Sequence, residues 1–415
     1  MKQPSKLTNL KSAGEPKKNV TPNQHKAILR KKNEADRDTS PNIPISVCIN
    51  VGADGKLSAI RFSPEAAAKI SRAKGFPHYD LSPEEKRDKL CKLLDYDFST
   101  VIHRGKVRQV THFNPLASCY FRHMWDVQAG GKRTSGQLFA DNNEFPRAMG
   151  KGGKMHTRSK KEQKEDQEAP NISAVYLPPS VLTKSSVRRA LRTYSGTQGV
   201  SNFSPVAAGA LYYKFLPKQG GIVFDPSCGW GGRLLGAIAC GKVHKYIGCD
   251  PGTETFKGLE EMRDELLPIA RSMGRNLEVE MYRLGSQTEE MREKLKPNST
   301  DLVFSSPPYF VQEKYSDDPS QSWKMYPDQE SWLNGFVGAT LDNCAYCLKP
   351  GGVLAINIAN VRSYKGSLED DFLALATQKD FTHAEKLELE LSAMPGAKHK
   401  YGKHKTEPIF VLRKR

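Results

Sequence analysis

Apolar and polar positions follow two different grammars along this chain, and the change falls near residue 171. Before that point the runs are short and mixed. ISVCINVGADGKLSAIRF (45–62) holds two alternating runs around a turn with Gly and Asp, which predicts a hairpin. SPEAAAKISRAKG starts on a capping Ser and ends on Gly, a short helix. LSPEEKRDKLCKLLDYD repeats that logic with Pro at the first helical position and acids in the first turn. These pieces predict a small α+β domain over 43–127. The stretch 128–170, from QAGGKRTSGQ to KGGKMHTRSKKEQKEDQEAP, is Gly-rich and charged and reads as a loop or linker.

From 171 onward strands and helices alternate. GGIVFDPSCG, KYIGCDP, LEVEMYRLGS, TDLVFSSPPYF and GGVLAINIANV are β-runs. Between them stand helical patterns: GRLLGAIACG, a Thr-capped TETFKGLEEMRDELLPIARSMG broken or kinked near Pro268, QTEEMREKL, and a long helix from DQESWLNGF to CLKPGG. SLEDDFLALATQKDF, FTHAEKLELELSA and EPIFVLRKR close the chain as helix, strand, strand. Strict alternation means right-handed crossovers and an α/β, doubly wound, Rossmann-like sheet over 171–415.

Composition changes this picture in three ways. The 415 residues carry 63 Lys+Arg against 46 Asp+Glu, a net +17, which points to a polyanionic partner. Much of that charge lies in residues 1–42, a basic, aromatic-poor tail that serves either phosphate contact or solubility. No run of about 20 apolar residues exists and the N-terminus has no apolar signal region, so membrane and secretory classes are set aside and a cytoplasmic protein is expected. The eight cysteines lack zinc-ligand spacing, and Cys344 and Cys347 read as core residues one helical turn apart; reduced thiols and no metal are expected.

The chemistry gathers at strand ends. Ligands of doubly wound sheets sit beyond the carboxyl ends of the strands, near the switch point. Three strands end there in unusual sequences: DPSCGWGG, CDPG and SSPPYF. The first, with Asp225, Ser227, Gly229 and Gly231, is neither a dinucleotide fingerprint nor a P-loop. Its acid suits an ammonium group, and Asp250, followed by Pro251, stands where a ribose diol is held. Either acid alone is an ordinary turn former; the pair at one β-α-β spacing fits S-adenosylmethionine. In the third, Ser306-Pro307-Pro308-Tyr309, a hydroxyl and a rigidly held carbonyl can each take one N–H of an aromatic amine, aiming its lone pair at a methyl donor. Tyr309 offers a face for stacking. A base paired in a duplex cannot reach such a site and has to be flipped out.

These motifs resemble those of the S-adenosylmethionine-dependent amino-methyltransferases, which modify exocyclic amines of nucleic acid bases. FDPSCGWGG resembles their first motif, YIGCDPG their second, and SPPY their target-base signature. The resemblance spans about 185–415 and implies a mostly parallel sheet with an antiparallel last strand. It implies that Asn202 and Phe203 close over the methionine end of the cofactor and that Ser286 lies near its adenine; a simple cap at Ser204 with Pro205 behind it accounts equally for the former stretch. Within the family Ser at the first position of the signature is typical of N4-cytosine enzymes, so N4-cytosine DNA methylation is the first reading. N6-adenine DNA methylation, RNA base methylation and a catalytically silent DNA-binding protein are its rivals. The motif order resembles that of phage-encoded enzymes, which would act in the host cytoplasm. Double-stranded DNA is the expected partner, with restriction-modification among the open purposes. DNA contacts are expected from Arg188, Arg189 and Arg192, from the basic stretch 151–164, and from Lys398, Lys400 and Lys403 in the loop 396–405; for the three arginines a solvated helix face is an equal reading. The aromatics Phe310, Tyr315 and Trp323 near the signature pack either over the base or in the core, and for Trp323 and Trp332 the core is the preferred reading.

Overall fold

The central strands are apolar runs of β-branched and aromatic residues whose alternate side chains enter two cores. The computed structural model describes residues 47–51, 57–153, 177, 179–194, 196–197, 200–391 and 405–415. Ser46–Arg415 is one compact unit. Strands β1 (Val47–Val51) and β2 (Leu57–Phe62) form the expected antiparallel hairpin. Strands β3 (Ile102–His103), β4 (Lys106–Val107) and β5 (Gln128–Ala129) follow. The large sheet then takes β6 (Gly221–Asp225), β7 (Val243–Cys249), β8 (Glu278–Tyr282), β9 (Thr300–Ser305), β11 (Leu348–Asn357), β12 (Phe381–Glu390) and β13 (Thr406–Lys414), while the short β10 (Glu313–Lys314) pairs with β5.

The order across the nine-stranded sheet is β3-β4-β12-β13-β11-β9-β6-β7-β8. Strands β6 to β9 and β11 run parallel, and β13 is antiparallel to both its neighbours. The chain builds outward from β6 through β7 to β8, then returns to place β9 on the other side of β6. The switch point therefore lies between β6 and β9, where the crevice of such a sheet is expected. Along β6, Val223 enters one core and Phe224 the other; along β9, Phe304 and Val303 do the same.

Four expectations are corrected. The stretch 128–153 is not a linker: Ser135–Ala140 and Glu144–Gly153 are helices, and Leu138, Phe145, Ala148 and Met149 are buried. Their glycines and charges masked a helical apolar stripe. Residues 43–127 do not hold together as one small domain. Helix Pro64–Ala73 packs with 135–149 and helix Lys184–Thr193 in a satellite core, whereas Leu90, Val107, Phe121 and Trp125 share the core of the large sheet. Helix Thr253–Ser272 runs unbroken through Pro268, held on both sides by buried Leu259, Met262, Leu266 and Ala270. Its cap position is Gly252 rather than Thr253, and the Gly252 N–H donates to the Asp250 carboxylate at 3.0 Å. The long helix before β11 contains a π segment, Trp332–Gly338, continued by Ala339–Cys347. Cys344 and Cys347 are both buried there. Among the described residues no helix is long and apolar enough to cross a membrane.

Candidate active site

Asp225 ends β6 and is wholly buried. Its carboxylate accepts from Arg233 Nε at 2.8 Å, Tyr246 OH at 2.7 Å, Ser305 Oγ at 2.9 Å and the Ser227 N–H at 3.2 Å. Four donors inside the fold occupy it, so the expected contact to a ligand ammonium is not the role this carboxylate holds. It is a knot that ties the Gly-rich turn to β7, to β9 and to the helix Gly232–Ala239. Arg233 also donates to the Ser227 carbonyl, and its guanidinium is pushed upward in pKa by Asp225 against the effect of burial. Neither Arg233 nor Tyr246 is suggested by spacing, although an arginine within an otherwise apolar helix is a visible signal.

The turn itself needs glycine at two positions. Gly229 and Gly231 have φ of 54° and 67°, in the left-handed region. A Cβ at Gly231 would stand 2.3 Å from Met262 Cε. One at Gly229 would meet only the Ser227 carbonyl oxygen, at 3.9 Å, so the space above it is open. The Gly229 N–H donates to Asp250 Oδ2 at 3.0 Å, and among the described residues no cation forms an ion pair with Asp250. Burial holds its carboxyl at about 6.

Ser306-Pro307-Pro308-Tyr309 leaves the end of β9, next to that turn, and all four residues are half-buried. Asn357, at the end of β11 and 3% exposed, organises it. Ser306 Oγ donates to Asn357 Oδ1 at 3.4 Å, Tyr309 OH donates to the Asn357 carbonyl at 3.2 Å, and Asn357 Nδ2 donates to the Pro408 carbonyl at 3.0 Å. Asn357 was legible as a lone polar residue ending an apolar strand, but its part in the site was not. After Tyr309 the chain turns sharply at Phe310, whose φ is 48°, and that ring enters the core against Trp332 and Tyr364. The following segment is fastened by β10 to β5 and by Gly130 N–H to the Gln312 carbonyl at 2.7 Å. Tyr315 comes back over the Gly-rich turn, its ring centroid 5.6 Å from Trp230, and donates to Glu313, whose carboxyl burial pushes up. Trp332 is core; Trp323 is half-buried under Lys314, 4.8 Å from its ring.

The cofactor-type turn and the Ser-Pro-Pro-Tyr turn are thus joined directly, through Ser305 Oγ and Asp225. Residues 300–415 match the family of N6/N4 DNA methylases. The match takes in β9, the Ser-Pro-Pro-Tyr turn, Asn357 and the last strands, and leaves out the Gly-rich turn. Comparison with curated proteins gives no match. Among solved structures, an S-adenosylmethionine-dependent methyltransferase from Methanosarcina mazei is 13% identical, covers 49% of this chain and 96% of that one, and has a TM-score of 0.31. A TehB-like S-adenosylmethionine-dependent methyltransferase from Corynebacterium glutamicum is 15% identical, with 52% and 90% covered and a TM-score of 0.32. A methyltransferase from Pyrococcus furiosus is 12% identical, with 51% and 82% covered and a TM-score of 0.33.

The match of residues 300–415 to DNA methylases implies S-adenosylmethionine as cofactor. The residues fit that cofactor: Gly229 leaves room for close approach, and Asp250 keeps lone pairs for a diol, since among the described residues two backbone N–H groups reach it, one on each oxygen. Asn202 is buried and donates to the Trp230 carbonyl, and the Phe203 carbonyl presses on Gly232, where a Cβ would lie 2.1 Å away; both residues therefore border the turn. Pro251 is half-buried beside it, with Ser320 Oγ 3.4 Å from its carbonyl. The Ser286 hydroxyl is 2.9 Å from Thr340 Oγ1 and its carbonyl accepts from Asn343, both on the helix before β11.

Two of the arginines expected on DNA are consumed internally. Arg188 donates to the Pro77 and His78 carbonyls and lies 4.3 Å above the Tyr79 ring. Arg192 lies 4.7 Å above the Trp125 ring and donates to the Val200 carbonyl. Their aromatic partners are remote in sequence, which is why a solvated face looked equally good. Arg189 is half-buried on the same helix. Lys398, Lys400, Lys403 and residues 154–164 lie outside the described residues.

Proposed function

We propose that the protein transfers the methyl group of S-adenosylmethionine to the exocyclic amine of a base flipped out of duplex DNA, with N4 of cytosine as the first reading. The observation that carries this is the bond between Ser305 and Asp225, 2.9 Å, which brings the amine-orienting turn and the Gly-rich turn to one crevice at the switch point.

When bound, the cofactor supplies an electrophilic methyl group on sulfur. The chain's own residues bind and orient. Asp250 accepts from the ribose diol, and the Gly-rich turn lets the backbone approach. Asn202 and Phe203 border the methionine end. The Ser306 hydroxyl proton is committed to Asn357 Oδ1, which leaves its oxygen lone pairs to accept one N–H of the target amine. The Pro307 carbonyl accepts the other. With both N–H groups oriented, the nitrogen lone pair is directed at the methyl group, so nucleophilicity is gained through orientation; as the N–C bond forms the methyl–sulfur bond would break, leaving a neutral thioether, and one of the two amine protons would be released to solvent. Tyr309, pinned at its hydroxyl by the Asn357 carbonyl, stacks on the base.

The test is transfer of labelled methyl to unmodified duplex DNA, with the product nucleosides resolved by mass spectrometry. N4-methylcytosine is expected; N6-methyladenine would keep the mechanism and change the base. Transfer only to RNA, or to neither, would overturn the reading. Ser306→Ala is expected to lower the transfer rate at least about a hundredfold, the scale of one lost transition-state hydrogen-bond partner, while DNA binding stays within about twofold.

A further inference from the structure

The target turn has an acidic neighbour on the last strand that no step above uses. We propose that Glu407, near the start of β13, reads the ring edge of the flipped base: its carboxyl donates a hydrogen bond to the ring nitrogen beside the target amine. The inference rests on the amino-methylation reading above and names the residue that selects the base.

Strand direction places Glu407 at the crevice. β13 runs antiparallel to β11, and its Ile409 pairs with Asn357, the last residue of β11. Glu407, two residues earlier on β13, therefore lies just past the carboxyl end of β11. β9 runs parallel to β11 and opens at that same end into the Ser-Pro-Pro-Tyr turn. Alternation sets the face. Ile409 and Val411 of β13 enter the same core as Val353 and Ala355 of β11, so Glu407 and Asn357 continue that face beyond the core. The Asn357 side chain links Glu407 to the target turn. Its Oδ1 accepts from the Ser306 hydroxyl at 3.4 Å, and a side-chain hydrogen bond joins its amide to the Glu407 carboxyl. Ser306 and Glu407 thus flank one amide, as the amine and the ring nitrogen stand side by side on a base.

The surroundings suit a donor. Glu407 is half-buried, and the Tyr309 phenol that is to stack on the base lies within electrostatic reach of it and of Glu313 on β10. Burial pushes the Glu407 carboxyl up, Glu313 adds to that, and Lys405 and the Asn357 bond act the other way. A bound base removes more water and works in the same sense as burial. In the reaction above Ser306 and the Pro307 carbonyl act as acceptors for the two amine hydrogens. The ring edge needs the opposite partner. N3 of cytosine and N1 of adenine, each next to the amine, are acceptors, and a carboxyl that keeps its proton can donate to either. In guanine the ring nitrogen beside the amine carries a hydrogen, which would face that proton. Glu407 therefore admits two of the amino bases and refuses the third.

Full-length wild type, Glu407→Gln and Glu407→Met are compared on a duplex oligonucleotide carrying the base that the wild type methylates. A second duplex has the ring nitrogen of that base replaced by C–H, as 3-deazacytosine or 1-deazaadenine. On the ordinary duplex Glu407→Met should lower kcat/KM about ten- to a hundredfold, the scale of a buried acceptor left unpaired. Glu407→Gln, whose amide donates without a proton to lose, should stay within about threefold of wild type. On the deaza duplex the ratio of wild type to Glu407→Met should collapse to about one, which a merely structural role does not produce. Three results overturn the role of Glu407 while leaving the reaction in place: wild-type rates from Glu407→Met, a ratio that persists on the deaza duplex, or a folded Glu407→Gln as slow as Glu407→Met. Wild-type protein that methylates no duplex DNA overturns the proposed reaction, and this inference with it.

Discussion

Asp225 and Asp250 end neighbouring strands, and their surroundings give them opposite tasks. Asp225 meets Arg233, Tyr246 and Ser305 inside the fold and is spent on architecture. Asp250 meets only two backbone N–H groups, and burial lifts its carboxyl to about 6. Since the folded state holds this proton more tightly than the unfolded chain, Asp250 subtracts stability as pH rises from about 4 to about 6. Binding a diol has the opposite preference, because only the carboxylate accepts both hydroxyls. S-adenosylmethionine affinity, measured by calorimetry, should therefore fall as pH drops below about 6, and Asp250→Asn should bind weakly with a flat profile through that range. A wild-type profile that is flat from pH 8 to pH 5 would remove Asp250 from the cofactor site. Both aspartates were legible as candidates from their positions after β-runs. Which one was free was not, because Arg233 and Tyr246 reach Asp225 only once the sheet is formed.

At the scale of elements, the Gly-rich turn has little tolerance for side chains. At Gly231 a side chain meets both a left-handed φ of 67° and the Met262 methyl at 2.3 Å. Gly231→Ala should cost about 2–4 kcal/mol in denaturant unfolding, combining backbone strain with overpacking. A loss under about 0.5 kcal/mol would mean that helix Thr253–Ser272 gives way easily. Elements were read well wherever capping and periodicity agreed: Ser63, Ser82 and Ser204 each cap the helix that their sequence announced. Reading failed where tertiary contacts outweighed a local signal. Pro268 breaks no helix because apolar residues on either side of it are locked in the core. The helices of 135–153 were hidden by glycines and lysines that flank a narrow apolar stripe.

At the scale of the molecule, the sheet and the segments before it share one interior. Leu90, Val107, Phe121 and Trp125 are packed with Val223, Leu235 and Phe304. A chain beginning at residue 171 would expose that whole face of the sheet. It should be recovered only as an aggregated or molten form, with dye binding and without a cooperative thermal transition. A cooperative, monomeric 171–415 fragment would show instead that the N-terminal segments are an accessory cover. The same sharing fastens the site, since β5 holds β10 and β10 follows the Ser-Pro-Pro-Tyr turn.

The amino-acid sequence by itself determined the alternation of strands and helices after residue 171, the Gly-rich and Ser-Pro-Pro-Tyr turns at strand ends, and hence the class of chemistry. Those features are local: periodicity, capping and turn residues act over a few positions. Only the tertiary structure decided which groups are spent and which are free. Asp225, Ser286, Arg188 and Arg192 are engaged by partners far away in the chain, whereas among the described residues Asp250 has no ion-pair partner. Hydrogen bonds and ring contacts between distant residues depend on the register of the sheet, and register is a property of the assembled core rather than of any one segment.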